Sequence, residues 1–466
     1  MAINAEFIKK IVPECFFLHA PCTKVGEWSV GAWSIDSRTV RKGEMFVALR
    51  GSTVDGHDFI AQALERGAAG CMIAKSQQAV LSKIDQKLLE EKAVLVVEDP
   101  KAALIALATA WRKEFTIPVI GITGSIGKTS TKESICSILQ LNKKNYLASE
   151  GTQNTVLGVS LTLLTLLPEH SAAIIELGIS RRGEMAHLVE IVQPTIGVIT
   201  AVGHSHMEGL GSINDIAAEK REIFKYFKED SIGIINGDQP LLASVAYKHP
   251  VIKFGSKTTN QVQARKIHVG ADAISFNLKL YGAKYTVTLP TNHKGAVFHL
   301  LAAVATAYLL GVPTETIIKG IEKPINVPGR FERRPLKNGK GILINDAYNA
   351  SPESMKAALT AFAQINTQAH KIAVLGDMLE LGVNSAFWHR QIGRFLRKVP
   401  AVREVILVGN QVQATLKTVP LSVKVDVVPT WKEAVDKLKS RIDQESCILV
   451  KGSRGIALNN LVDELT

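Results

Sequence analysis

Residues 121–133 read GITGSIGKTSTKE and follow the apolar run Ile117-Pro118-Val119-Ile120. The expected local structure is a buried strand, a glycine-rich turn and a helix that begins at Lys128. Glycines let backbone N–H groups approach an anion closely, and a helix N-terminus favours negative charge. In such a turn Lys128 reaches terminal phosphates and the Thr129 hydroxyl holds Mg²⁺. One position departs from the usual spacing: Ile122 stands where glycine is common, and the glycines are Gly121, Gly124 and Gly127. The competing reading is a strand–helix turn without a ligand. Strand, glycines, lysine, hydroxyl and helix coincide here, which favours the phosphate loop.

Around this loop the chain is long and basic. Its 466 residues exceed one ordinary core, so about three domains are expected. With 46% hydrophobic and 21% charged residues, the composition is that of a globular protein. The net charge of +12 suits anionic substrates such as nucleotides. No dense basic tract with interleaved aromatics occurs, so nucleic acid is not an expected partner. The scattered pairs Lys9-Lys10, Lys143-Lys144, Arg181-Arg182 and Arg333-Arg334 read as solvated faces. Cys15, Cys22, Cys71, Cys136 and Cys447 are odd in number and form no close pair, which indicates neither disulfides nor zinc. That usage fits a reducing cytosol, so a cytoplasmic location is expected. Pro13 and Glu14 break the short N-terminal apolar run, and no stretch of apolar residues is long enough for a membrane span. No amphipathic oligomerisation segment stands out, and a monomer is expected.

The fold class expected is α/β in three domains. Residues 1–114 read as a small α/β domain with strands Trp28–Ile35, Met45–Leu49, Cys71–Ala74 and Val94–Val97, and helices near His57–Arg66 and Lys101–Lys113. Residues 115–327 alternate strand and helix around the phosphate loop, as in a P-loop ATPase-like parallel sheet. The strands are Val119–Ile122, Ala172–Glu176, Gly197–Thr200, Gly233–Asn236 and Val251–Phe254. Ile274, Phe276, Leu278 and Leu280, then Tyr285, Val287 and Leu289, alternate as a half-buried edge hairpin about Gly282. An alanine-rich helix, Val297–Leu310, follows. Residues 328–466 begin after the hinge candidate Asn326-Val327-Pro328-Gly329 and read as a second, Rossmann-like doubly wound sheet. Ligands on such sheets sit at the carboxyl ends of strands.

Several polar residues fall at those ends. Glu176 closes an apolar strand and could hold Mg²⁺ or be a structural carboxylate. The loop GHSHME, residues 203–208, offers His204 or His206. Lys220 lies in a charged helical stretch and on its own reads as a solvated lysine. Asp346, Tyr348 and Asn349 follow a strand, where a tyrosine can stack on a base or fill a core. Gly376–Gly382 and the KGSRG run at 451–455 also follow strands, and Lys451 and Arg454 could take an anion. Arg38, after Asp36 and Ser37, could pair with an anionic or uracil-bearing ligand.

Taken together these stretches resemble the Mur ligase family, the ATP-dependent amino-acid ligases of peptidoglycan synthesis. The resemblance covers nearly the whole chain. It rests on DSRTVRKGEMFVALRG at 36–51 and DGHDF at 55–59, and on TGSIGKTSTKE, GTQNTVLGVSLTLL, IIELGISRRGEM and HMEGLGSINDIAAEKREIF in the centre. PGRFE, NDAYNASPESM, VLGDMLELG and KGSRG carry it through the last third. The Asp-Ala-Tyr-Asn loop and GDMLELG resemble the members that add a dipeptide.

The resemblance implies roles. Thr123, Gly124, Ser125, Ile126, Gly127, Lys128 and Thr129 would cradle ATP. Thr129 and Glu176 would hold Mg²⁺, with His206 as the metal-binding histidine. Lys220 would be carbamoylated and hold a second Mg²⁺. Lys128, Glu176, His206 and Lys220 would be the catalytic group. Arg330, Asp346, Tyr348 and Asn349 would serve the nucleotide. Ser37, Arg38, Gly51 and His57 would hold a UDP end, and Asn154 and Ser180 would line the substrate side. The partners implied are UDP-N-acetylmuramoyl-tripeptide and D-alanyl-D-alanine, joined through an acyl phosphate.

Three positions depart from the family pattern. Ile126 replaces the commoner asparagine. Residues 152–156, TQNTV, carry fewer asparagines and no glutamate. In HKGAVFH at 293–299, Ala296 and His299 stand where asparagines touch adenine, so ATP recognition is expected to be built differently. Two other readings stay open: a folylpolyglutamate synthase-like or cyanophycin-type ligase, and a nucleotide-binding switch without ligase chemistry.

Overall fold

Continuous apolar runs, bounded by turn residues, make strands buried on both faces. Ala93–Val97, Val119–Thr123, Ala173–Glu176, Glu404–Val408 and Ser446–Lys451 are all such strands, with every residue buried. The computed structural model describes residues 3–19, 29–90, 92–337, 339, 341–365, 370–442 and 446–466. Two residues of the sequence reading, Trp28 and Cys22, lie outside them. The chain divides into two compact units. One comprises Met1–Gly121, Lys144–Leu177 and Ala186–Thr195; the other comprises Ile122–Lys143, Gly178–Met185 and Ile196–Thr466.

In the first unit a five-stranded sheet has the order Phe16–His19, Ala93–Val97, Gly70–Ala74, Met45–Val47, Trp33–Ser34. Only the Phe16–His19 pairing is antiparallel. The expected strand over 28–35 is two short pieces. Ser29–Val30 pairs with Ile3–Asn4, while Trp33–Ser34 joins the larger sheet. The helix Pro100–Lys113 is capped by Asp99, with proline in its first turn. Its last turn is anchored by side chains. Trp111 Nε1 donates to Leu166 O at 3.1 Å, and Arg112 donates to the carbonyls of Val192, Phe115 and Gln193 at 2.9, 2.8 and 3.1 Å. The same unit pairs Ala173–Glu176 in parallel with Leu147–Ala148.

In the second unit Ile196–Ile199, Ile232–Asn236, Val251–Gly255 and Val262–Val269 pair in parallel in that order. Ile274–Leu280 and Ala283–Leu289 then add antiparallel, with Ala283–Leu289 at the edge. The inward positions Ile274, Phe276, Leu278 and Leu280 are buried and their neighbours are not, as the alternation predicts. A six-stranded sheet in the order Glu332–Pro335, Gly341–Asn345, Ser446–Lys451, Lys371–Gly376, Glu404–Val408, Lys424–Val428 is parallel except at Glu332–Pro335. The last strand in sequence but one, Lys424–Val428, is its far edge, whereas Ser446–Lys451 returns to the middle. That return puts the carboxyl ends of three neighbouring strands, at Asp346, Lys451 and Asp377, where the chain order reverses and ligands settle.

Candidate active site

The turn after Val119–Thr123 depends on two left-handed glycines. Gly124 has φ +155°, and a Cβ there would stand 1.9 Å from Thr200 Oγ1. Gly127 has φ +89°, caps the helix Lys128–Leu141, and meets the edge of His299, 2.3 Å from where its Cβ would be. Only glycine satisfies both demands. Thr200, at the end of the neighbouring strand, fixes the turn by donating to Ile126 O at 2.6 Å. Thus Ile126, whose side chain cannot hydrogen-bond, contributes its carbonyl. Ser125 N donates to Ala201 O at 2.7 Å, Ser125 Oγ donates to Gly203 O at 3.0 Å, and Gly203 N donates back to Ser125 Oγ at 2.9 Å. Lys128 Nζ reaches back over the turn to Gly124 O at 3.0 Å. Thr123 and Thr129 are buried.

Lys220, on the helix Ile213–Arg221, is only 2% exposed. Burial and the nearby Lys128 charge push its amine well below the ordinary lysine value, against the pull of Glu219. The solvated-lysine reading of the bare sequence is therefore corrected: the residue faces inward, and its uncharged form is favoured.

The loop 203–208 reaches a helix and a loop of the C-terminal segment. His204 Nδ1 pairs with Glu353, and its backbone N–H points at both Glu353 oxygens at 3.3 Å. His206 Nδ1 pairs with Glu380, whose carboxyl this contact holds below its usual range. His206 and Glu380 both adopt left-handed backbone, at φ 56° and 60°. That conformation costs energy in a side-chain-bearing residue and often marks a functional loop.

At the carboxyl ends of the C-terminal strands, Asp346 pairs with Lys451 at 2.8 Å and accepts Phe331 N–H at 3.1 Å. Lys451, itself 2% exposed, also donates to Asn349 O at 2.9 Å. Arg330 lies over the Tyr348 ring at 4.0 Å, with Arg454 at 5.6 Å. Tyr348 therefore holds guanidinium groups. His299 keeps part of its surface accessible. Desolvation pushes its imidazole down to about 3, helped by the charges of His293 and Arg330. A neutral imidazole thus stands where the family pattern has asparagine, and Ala296 beside it offers no polar side chain.

Other expected residues lie in the first unit. Glu176, 1% exposed, accepts Asn154 Nδ2 at 2.8 Å. Arg38, with a side chain 78% exposed, is held by Asp36 at 2.8 Å. Buried Ser37 donates to Gln62 at 2.7 Å. The exposed Gly51 closes a turn by donating to Val54 O at 2.8 Å. His57 is buried with both ring nitrogens engaged, Nδ1 with Asp55 at 2.6 Å and Nε2 accepting Ala74 N–H at 3.1 Å. Ser180, in the second unit, binds Glu184 through its amide at 2.7 Å. Sequence reasoning missed Thr200, Glu353 and Glu380. Thr200 stood at a strand end, which is a usable signal; the two glutamates lay inside the quoted motifs NDAYNASPESM and VLGDMLELG, but nothing there singled them out or named their partners. Among the described residues no helix is long and apolar enough to cross a membrane.

Comparison with known proteins shows what the whole chain is similar to. Three family models match in series: the Mur ligase family catalytic domain over residues 30–112, the Mur ligase middle domain over 122–307, and the Mur ligase glutamate ligase domain over 329–454. The UDP-N-acetylmuramoyl-tripeptide–D-alanyl-D-alanine ligase of Bacillus subtilis is 34% identical over 92% of each chain. A MurF structure from Acinetobacter baumannii superposes with TM-score 0.84 at 29% identity, covering 100% of this chain and 99% of that one. A MurF ligase from Thermotoga maritima in complex with ADP gives TM-score 0.76 at 26% identity, over 93% of this chain and 96% of that one.

Proposed function

Because the chain belongs to the Mur ligase family, we propose that it joins D-alanyl-D-alanine to a UDP-N-acetylmuramoyl-tripeptide at the expense of ATP, in peptidoglycan precursor synthesis. The observation that carries this reading is the glycine turn at 123–129. Its left-handed glycines leave room for backbone N–H groups to approach an anion, in a chain that matches such ligases along its length.

The turn from Thr123 to Thr129 binds the phosphates of ATP through backbone N–H groups and the helix N-terminus. A terminal phosphate entering it would draw Lys128 Nζ from Gly124 O. Arg330, Asp346, Tyr348 and Asn349 serve the nucleotide from the C-terminal segment, with Tyr348 holding Arg330 in place. Ser37, Arg38 and the loop of Gly51 take the UDP end, and His57, engaged on both nitrogens, shapes that loop. Asn154 and Ser180 line the peptide side. The working segments are 1–114, 115–327 and 328–466, hinged at 326–329, in a cytoplasmic monomer.

The family pattern assigns Mg²⁺, a hard cation that takes oxygen ligands and phosphates, to Thr129, Glu176, Lys220 and His206. Thr129 and Glu176 offer oxygens. Lys220, buried and favoured as a neutral amine, is suited to add carbon dioxide and become a carbamate with two more. His206 would offer Nε2, because its Nδ1 is paired with Glu380. Bound with the nucleotide, Mg²⁺ would neutralise charge that spreads over the transferring phosphoryl group.

The tripeptide carboxylate attacks the γ-phosphorus, and ADP leaves. The dipeptide amine attacks the resulting acyl carbon, loses a proton, and expels phosphate with the bridging oxygen. Lys128 stabilises charge in the first step, and the acyl phosphate must be kept from water until the amine attacks. Phosphate release measured with each substrate omitted tests the reading. Turnover should need ATP, the UDP-tripeptide and D-alanyl-D-alanine together, and Lys128→Ala should lower it by about 10²-fold or more. Hydrolysis indifferent to the acceptor, turnover with folate in place of the tripeptide, or near-native turnover in Lys128→Ala contradicts it.

A further inference from the structure

The loop at 200–206 is bonded in two directions. Toward the phosphate turn, Gly203 and Ser125 exchange hydrogen bonds at 2.9 and 3.0 Å, and Ala201 O accepts Ser125 N–H at 2.7 Å. Toward the C-terminal sheet, the very next residue, His204, gives both its backbone N–H and its Nδ1–H to Glu353. The approach is close: a Cβ on Gly203 would sit 3.1 Å from Glu353 Oε2. Trp388 covers the imidazole, with ring centroids 4.3 Å apart.

Glu353 stands two residues after Ser351, the cap of the helix Pro352–Gln364. That helix is the direct continuation of the loop carrying Asp346, Tyr348 and Asn349. One carboxylate therefore joins the segment that braces the phosphate turn to the segment proposed to serve the nucleotide from the other side. A carboxylate accepting two N–H groups is a strong, directional contact. Residues that act only through backbone packing would not need it.

We propose that Glu353 is a positioning residue for nucleotide use: through His204 it fastens the 346–351 loop to the phosphate turn, so that both sides of the nucleotide site are held together. This rests on the ligase reading above.

The rival explanation is local. An acid in a first helical turn stabilises its own helix through the helix dipole. Two substitutions separate the explanations. Glu353→Gln keeps an acceptor oxygen at the same reach but loses the charge. Glu353→Asp keeps the charge on the helix but is one methylene short of His204. Steady-state ADP formation and amide hydrogen exchange are measured on both, beside Glu353→Ala and the native chain.

The proposal expects Glu353→Ala and Glu353→Asp to raise KM for ATP about tenfold, with kcat within about twofold, and Glu353→Gln to stay near native. Exchange should quicken in Ala and Asp variants at 346–351 as well as at 203–204. A native-like Glu353→Asp with an impaired Glu353→Gln overturns it in favour of the dipole. Faster exchange confined to 203–204, or unchanged KM in Glu353→Ala, also overturns it. If the native chain makes no ADP with these substrates, the ligase reading fails. ADP affinity by calorimetry then replaces KM, and the same exchange comparison decides the role of Glu353.

Discussion

Lys220 shows how far burial can redirect a residue. On a solvated helix it would carry a charge at any physiological pH. Here desolvation and Lys128 favour the neutral amine, which is the form that reacts with carbon dioxide. Protein equilibrated with ¹³C-bicarbonate should show a carbamate carbonyl resonance that is absent from Lys220→Ala; spectra identical in the two would contradict carbamoylation. His299 gives a prediction of opposite character, about stability. Its folded pKa lies below the unfolded value of about 6.5, so the unfolded chain takes up the proton first. The stability present above that value is lost as pH falls toward about 3. Between about pH 7.5 and about pH 5.5 the native chain should lose about 1 kcal/mol more than His299→Asn in denaturant unfolding. This requires only a folded value below about 5. Parallel losses would show that the ring titrates normally.

At the scale of elements, the phosphate turn is the part whose geometry leaves least freedom. Gly127→Ala would strain a backbone at φ +89° and drive a methyl group into His299. Left-handed strain alone costs about 1–2 kcal/mol of stability, and a turn that relaxes to escape it loses the glycine geometry, so ADP affinity should fall; calorimetry showing native affinity would mean the turn adapts. This element was legible in the sequence because its residues are contiguous and their types are dictated by the turn. The doubly buried strands and the 274–289 hairpin were legible for the same reason, since their patterns follow directly from burial. Val262–Val269 was not. Its alternation breaks at a bulge between Arg265 and His268, where Lys266 turns left-handed at φ 52°. Lys424–Val428 was missed as an edge strand with little buried surface to mark it. The 28–35 run misled because its halves serve different sheets. Within the site, Glu353 and Glu380 stood in recognisable motifs, but their pairing with His204 and His206 was not legible because those partners lie more than a hundred residues away.

At the scale of the whole molecule, the reaction requires a carboxylate and an amine to meet without water intervening. Three anionic or polar substrates take part, so cations and backbone N–H groups are expected to do more than any nucleophilic side chain. The central claim is that the peptide carboxylate itself takes the phosphoryl group. It is tested most directly by ¹⁸O labelling of the tripeptide's terminal carboxylate, followed by mass analysis of the phosphate released during ligation. One ¹⁸O atom should be transferred into each phosphate, with the other retained in the new amide carbonyl. Unlabelled phosphate, with ligation proceeding, would contradict it.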